Sequence, residues 1–348
     1  MSSRSDHVAA ARAQRQLPRP TPDAPPDFRA WIRAGALAAS SHNTQPWRVR
    51  IDPEIPAILI QPDDDRRCPR VDPNDAHLFK SLGCMAENIR IAAGVNGFDC
   101  EIDVCGDTPD IRLTFHRREG PGELERYRAI AVRQCTRSAY DASPLSSAER
   151  EALSAAGRGQ GVRTLVLEGA ESIESVVRFV ERGNVTQLDD AGFRRELTRW
   201  IRFNPESALE HADGLSAVVM GQPSLPQWLG RAISGLVLKA GPQNRRDAEH
   251  IRSSSALAVL VAERDEVPSW VETGRVVQRL TLTATALDLK HAYINQPIEV
   301  PELRAEFARW LGRGAEHPLL MLRIGRAAAA PYSLRRPLEA YLAVPAEG

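Results

Sequence analysis

Two segments of the chain, "CMAENIRIAAGVNGF" (84–98) and "VVQRLTLTATALDL" (276–289), line up at an offset of 191, with Glu87 opposite Gln278 and Ala93 opposite Ala284. Both read as helices of small side chains, both end at a turn, and both precede strand-forming residues. Two earlier helices, 28–39 and 146–157, pair at an offset of about 118, so the second stretch carries roughly 73 extra residues, placed at about 180–252. A repeat of this kind restricts the chain to folds in which one unit packs on its copy. Alanine- and leucine-rich helices also resemble one another by composition, so a single α+β domain without a repeat stays open beside two related α+β halves.

The remaining elements fit either reading. Asp27-Phe28 begins a helix with Phe28, Trp31, Ile32 and Leu37 on its apolar side. A strand from Trp47 to Ile60 is interrupted by Pro53 and Pro56, and a helix from about Asn74 to Gly97 follows. Strands at Cys100–Cys105 and Ile111–His116 flank the turn Gly106-Asp107-Thr108-Pro109, and a helix runs from about Glu123 to Arg133. Ser146 caps a helix through Ala156, with Glu149 at the capping-box position. The boundaries are an extended arm over 1–26, a first half over 27–132 and a second half over 133–348 that carries the insertion. Within the insertion, a helix from about Gln227 to Lys239 carries Trp228, Leu229, Ile233, Leu236 and Val237, as an extra core helix or as a lid over a pocket.

Composition excludes several function classes. Lys+Arg and Asp+Glu both total 45 in 348 residues, so net charge gives no case for nucleic acid or an anionic membrane. Five cysteines, an odd number with no CxxC pair, fit a cytoplasmic, reduced chain. The eight histidines form no HxxxH or HExxH, so no metal is expected. The N-terminal residues lack the apolar core of a signal peptide, and no apolar run is long enough to span a bilayer.

Three polar sets carry possible chemistry. Ser40-Ser41-His42-Asn43-Thr44-Gln45 lies between a helix and a strand, where hydroxyls and amides suit a flat polar ring or a ribityl chain. Capping and turn hydrogen bonds, with Trp47 as core, explain the same residues without a ligand. Arg133 and Arg137 share a face if their segment is helical, and a phosphate suits their paired forks. Arg335 and Arg336 precede Pro337 near the C-terminus and could complete an anion site or pair with surface carboxylates.

"SSHNTQPW" resembles the Ser-Ser-x-Asn-x-Gln-Pro-Trp loop of the nitroreductase-like flavoproteins, "RQCTRSAYD" the Arg-x-Ser-x-Arg-x-Phe-Asp opening of that fold, and "LRIGRAAAAPYSLRRPLEAYL" its closing segment. Two copies with an inserted lid are similar to the single-chain branch called the Acg-type FMN-binding oxidoreductases. The resemblance implies a nitroreductase-like α+β fold, two fused halves as an intramolecular pseudo-dimer, and a functional monomer. It implies one composite FMN site, from Ser40, Ser41, His42, Asn43 and Gln45 of the first half with Arg133, Arg137, Arg335 and Arg336 of the second. "NQPIEV" resembles the Pro-Ile-Glu-Gly loop whose backbone approaches flavin N5, which brings in Glu299, with Val300 in place of the glycine. Cys135 replaces a serine of the arginine motif. The activity implied is ping-pong hydride transfer from NAD(P)H to a small nitroaromatic or quinone-like acceptor, without a catalytic side chain. The alternative is a protein that binds or sequesters FMN under its lid.

Overall fold

The protein, a computed structural model, is described over residues 3–105 and 109–343. It opens with helix α1 (Arg4–Ala13), where the sequence reading has an extended arm over 1–26. The cause is a capping box: Ser3 Oγ accepts from the Asp6 N–H, and the Asp6 carboxylate accepts from the Ser3 N–H. Only the proline-containing stretch after it stays non-helical, since proline lacks the donor a helix needs.

Helix α2 (Phe28–Ala36) starts where Asp27 caps the Ala30 N–H, and it buries Trp31 and Ile32. The strand expected from Trp47 to Ile60 is an antiparallel hairpin, β1 (Trp47–Ile51) and β2 (Ala57–Pro62). Asp52 Oδ1 accepts from the Glu54 and Ile55 N–H groups and turns the chain there. Helix α3 (Ala76–Val95) and strands β3 (Phe98–Cys105) and β4 (Asp110–Arg117) complete a sheet of order β1-β2-β4-β3. Of the turn expected between β3 and β4, residues 106–108 lie outside the described residues. Helix α4 (Leu124–Val132) leads to α5 (Ser147–Ala156), which has the Ser146–Glu149 capping box expected from the sequence.

Strands β5 (Arg158–Gly159) and β6 (Val162–Leu167) precede a long helical excursion. It comprises α6 (Ala170–Asp189), α7 (Ala191–Trp200), β7 (Ile201–Arg202), α8 (Pro205–His211), β8 (Leu215–Ser216), α9 (Ala217–Met220), α10 (Gln227–Val237) and α11 (Ala240–Arg252). The chain then returns through β9 (Ala256–Ala262), α12 (Val267–Ala286), β10 (Lys290–Tyr293), α13 (Gln296–Glu299), α14 (Pro301–Trp310) and β11 (His317–Gly325). The second sheet has order β10-β11-β9-β6-β5 and is antiparallel throughout.

With β5 set aside, both sheets run first-second-fourth-third, with a helix before the first strand and a 20-residue helix between the second and third. The two first-to-second connections differ greatly, 52–56 in one sheet and 168–255 in the other. The long helices α3 and α12 pack on each other along the middle of the molecule. There Gln278 Nε2 donates to Asn88 Oδ1 at 2.8 Å, and Arg279 Nη1 lies 3.1 Å from Glu87 Oε1. An offset of 191 carries 87 to 278 and 88 to 279, so one pair is the image of the other.

Tail and loop strands tie the two sheets together. Residues 341–343 run parallel to the outer edge of β1, with the Val49 N–H donating to Tyr341 O at 2.7 Å and the Ala343 N–H to Val49 O at 2.8 Å.

Candidate functional site

The loop between α2 and β1 is held in an uncommon shape. His42, Asn43 and Gln45 all have positive φ, at 47°, 55° and 53°. Non-glycine residues keep such a backbone only where contacts over-determine it. Asn43 Nδ2 donates to Gly214 O at 3.2 Å and Leu334 O at 3.3 Å, while its Oδ1 accepts from Arg335 Nη1 at 2.9 Å. Gln45 Nε2 donates to Ala212 O at 2.9 Å, and its Oε1 accepts from the Arg336 N–H at 2.8 Å. The two amides thus bind the helical insertion and the C-terminal tail to the first sheet. Ser40 Oγ accepts from the Gln45 N–H, the Ser41 N–H donates to Ser81 Oγ, and Trp47 is fully buried.

Beyond α4 the chain is extended rather than helical. Cys135 bridges in parallel to His291, and the Thr136 N–H donates to His291 O at 2.9 Å. Helical spacing is therefore not what unites Arg133 and Arg137. The extended segment lays Arg133, Gln134, Cys135 and Arg137 along one cleft. The cleft is narrow: room for the centre of a water-sized sphere amounts to about 40 Å³, within about 510 Å³ of atom-free space that includes open solvent. Ser40, Asn43 and Arg335 line it too, as do Arg15 and, on the insertion, Leu215, Ser216, Val219 and Met220.

The structure therefore gathers Ser40, Asn43, Arg133, Arg137 and Arg335 of the ten sequence candidates. The other five lie outside the lining. Ser41 faces Ser81, and Gln45 is spent on Ala212 and Arg336. His42 is half-buried with Nδ1 3.9 Å from Cys68 Sγ; loss of solvent around the ring first, and Arg137 second, lower its imidazole to about 4. Arg336 Nη2 donates to Gln45 O at 2.7 Å, and Nη1 lies 3.7 Å from Asp63. Glu299 accepts from Gln187 Nε2 at 2.7 Å and stands 3.7 Å from His77 Nε2, its carboxyl raised to about 7 chiefly by burial.

Within the cleft the arginines have different work. Arg335 donates to Ala36 O, Leu37 O and Ala38 O, closing the carbonyl end of α2, where a cation is favoured. Arg133 Nη2 donates to Leu37 O at 3.0 Å, but its Nε and Nη1 are buried with no partner in the protein. Gln134 Oε1, on another lining residue, is buried without a partner as well. Among the described residues no Asp or Glu lines the cleft, against four arginines. Buried cations without a counter-ion are costly, so the walls suit an anionic ligand with further acceptors and donors.

The insertion closes one side. Asp213 is clamped between Arg66, at 2.8 Å, and Arg202, both on its carboxylate oxygens. This brings β8 and α9 over the cleft. None of the described side chains of α10, the helix read in sequence as the lid, is in the lining, and its Trp228 is 72% exposed. The side chains of residues 236 and 237 in the expected stripe lie outside the described residues. Arg15 and Asp213 were missed in the sequence, although Ser3-x-x-Asp6 signals the helix that delivers Arg15. Among the described residues no group of three or more His, Cys, Asp or Glu is placed to hold a metal, and no helix is long and apolar enough to cross a membrane.

No family model matches the chain. Two proteins of Mycobacterium tuberculosis, from strains CDC 1551 / Oshkosh and ATCC 25618 / H37Rv, are each 26% identical over 308 residues, 85% of this chain and 84% of theirs. Both are named "Putative NAD(P)H nitroreductase". Among solved structures, the FMN-dependent nitroreductase NfnB of Mycobacterium smegmatis in complex with NADPH aligns at a TM-score of 0.40 and 15% identity, over 64% of this chain and 98% of that one. The NADPH:FMN oxidoreductase of Vibrio harveyi aligns at 0.40 and 13% identity, over 64% and 78%. Over 85% of its length, the chain is thus similar to two mycobacterial proteins named as nitroreductases, in line with the resemblance carried by the Ser40–Trp47 loop.

Proposed function

We propose that the chain is an FMN-dependent NAD(P)H oxidoreductase of nitroreductase type, built as an internal pseudo-dimer with one flavin site. The observation that carries the reading is the cleft itself: four arginines, no carboxylate, and unpartnered buried donors on Arg133 beside Ser40 and Asn43. The donor set fits a phosphate monoester bearing a hydroxylated chain. The names of the mycobacterial relatives support the same chemistry.

In this reading Arg133 and Arg137 hold the phosphate through charge-assisted forks, and Ser40 meets the hydroxylated chain. Arg335 keeps Asn43 and the end of α2 in place, which fixes the loop without spending a donor on the ligand. FMN held there would supply the redox chemistry for ping-pong hydride transfer between NAD(P)H and a nitroaromatic or quinone-like acceptor. Val219 and Met220 exclude water from the inner wall.

The second reading, a protein that sequesters FMN with little turnover, is favoured by the Asp213 clamp, which holds the insertion down on the cleft. Both are tested on freshly purified protein. A flavin absorption spectrum, lost in Arg133→Gln while the fold persists, supports the site; undiminished flavin in the variant overturns it. Bleaching by NADPH with reoxidation by a nitroaromatic supports turnover, and a yellow protein inert to NADPH supports sequestration.

A further inference from the structure

We infer that the N-terminal helix is part of the anion site, with Arg15 a positioning and specificity residue that makes binding depend on a terminal phosphate. The inference rests on the FMN reading above and adds a residue from outside every motif that suggested it.

Helix α1 delivers Arg15 into the cleft from the N-terminal side, and the side chain is only 6% exposed. Its Nη1 donates to Ala131 O at 3.1 Å and Arg133 O at 3.0 Å, so it fixes the backbone on which Arg133 stands. Its guanidinium carbon lies 4.2 Å from the Tyr332 ring centre, a stacking that holds the plane still. Its Nε is buried with no partner in the protein.

The neighbouring residue repeats the theme. Gln14 Nε2 donates to Arg335 O at 2.8 Å, and the Arg335 N–H donates to Gln14 Oε1 at 2.8 Å. His7 Nε2 lies 3.1 Å from Tyr332 O. One short helix therefore grips both the 133 segment and the 335 segment. A helix held only for packing does not need to bring a buried guanidinium beside another one.

Burial, and then Arg133, lower the Arg15 guanidinium to about 9. Arg15, Arg133 and Arg335 are all nearly inaccessible, at 6%, 2% and 5% exposed. With no acid in the lining, the like charges are offset only by a dianion between them. A neutral hydroxylated ligand of the same shape leaves them unrelieved, so the arrangement discriminates by charge.

The test compares FMN with riboflavin, which lacks only the phosphate, by quenching of flavin fluorescence on the full chain stripped of flavin. In the wild type, FMN binds more tightly than riboflavin. In Arg15→Gln the ratio of the two affinities falls by about tenfold to a hundredfold, the range for losing a hydrogen bond to a charged group, with riboflavin affinity retained. Should Arg15→Gln fail to fold, Arg15→Lys keeps the charge without the planar fork, and the ratio drops by a smaller factor. A wild type that binds neither flavin sinks the FMN reading. A wild type that prefers FMN, with the same preference in a folded Arg15 variant, overturns the role of Arg15 alone.

Discussion

Gly83 and Gly274 make the same contact in opposite directions. A Cβ on Gly83 would lie 2.1 Å from Val271 O, and one on Gly274 would lie 2.0 Å from Lys80 O. The offset of 191 carries 83 to 274 and 80 to 271, so residue i meets j and j meets i, the signature of a two-fold contact. Together with the image pairs Asn88–Gln278 and Glu87–Arg279, this supports two fused copies of one unit.

That closeness makes alanine an intruder at either position. Gly83→Ala and Gly274→Ala are each expected to cost about 1–3 kcal/mol, because the obstacle is backbone that must shift. Thermal denaturation of both variants checks this; a melting temperature equal to the wild type in either one counts against the reciprocal contact.

Glu87, fully buried, receives Arg90, Arg275 and Arg279. Burial alone would raise its carboxyl, but these cations outweigh burial and hold it at about 2. A folded value below the unfolded one gives stability that is present above about 4.5 and lost as pH falls toward about 2. Glu87→Gln removes the buried carboxylate that the three arginines share, leaving Arg90 to Glu123 and Arg275 and Arg279 to Glu272, and is expected to cost about 1.5–3 kcal/mol at neutral pH. Urea unfolding at pH 7 and pH 3 should show the difference shrinking at the lower pH.

Glu299 behaves in the opposite sense. Burial raises its carboxyl to about 7, against the Gln187 hydrogen bond; Asp72 adds to the rise and Lys80 opposes it. The folded state then holds a proton that the unfolded state has released, so this group's contribution to stability falls as pH rises from about 4.5 to about 7. Glu299→Gln should gain on the wild type across that window, on the order of 2 kcal/mol, and level off above it. A difference that does not change between pH 5 and pH 7 would refute the assignment.

Asp213 is the catch of the insertion. Replacing it with Asn leaves Arg66 and Arg202 without their carboxylate and should loosen residues 212–220. Hydrogen exchange of those amides should quicken by about tenfold for each 1.4 kcal/mol lost, while α3 keeps its protection. Uniform exchange across both regions would show that the clamp is not local.

The sequence was most legible where period and caps decide the outcome. The offset of 191 held in the packing of α3 on α12, and Ser146 and Glu149 made the capping box. It was least legible where distant segments share a hydrogen bond. Nothing local to Asn43 or Gln45 says that their amides are taken by Gly214, Leu334, Ala212 and Arg336. Likewise, Arg335 and Arg336 are adjacent and chemically alike, but one closes α2 and the other turns to Asp63. Composition hid Arg15 among 42 arginines, with no motif to mark it.

Arg15 and Arg335 are 320 residues apart in sequence, yet they flank the same cleft. The cleft therefore gains its walls only when segments 320 residues apart have both docked, which makes it a product of the whole fold and not of either half.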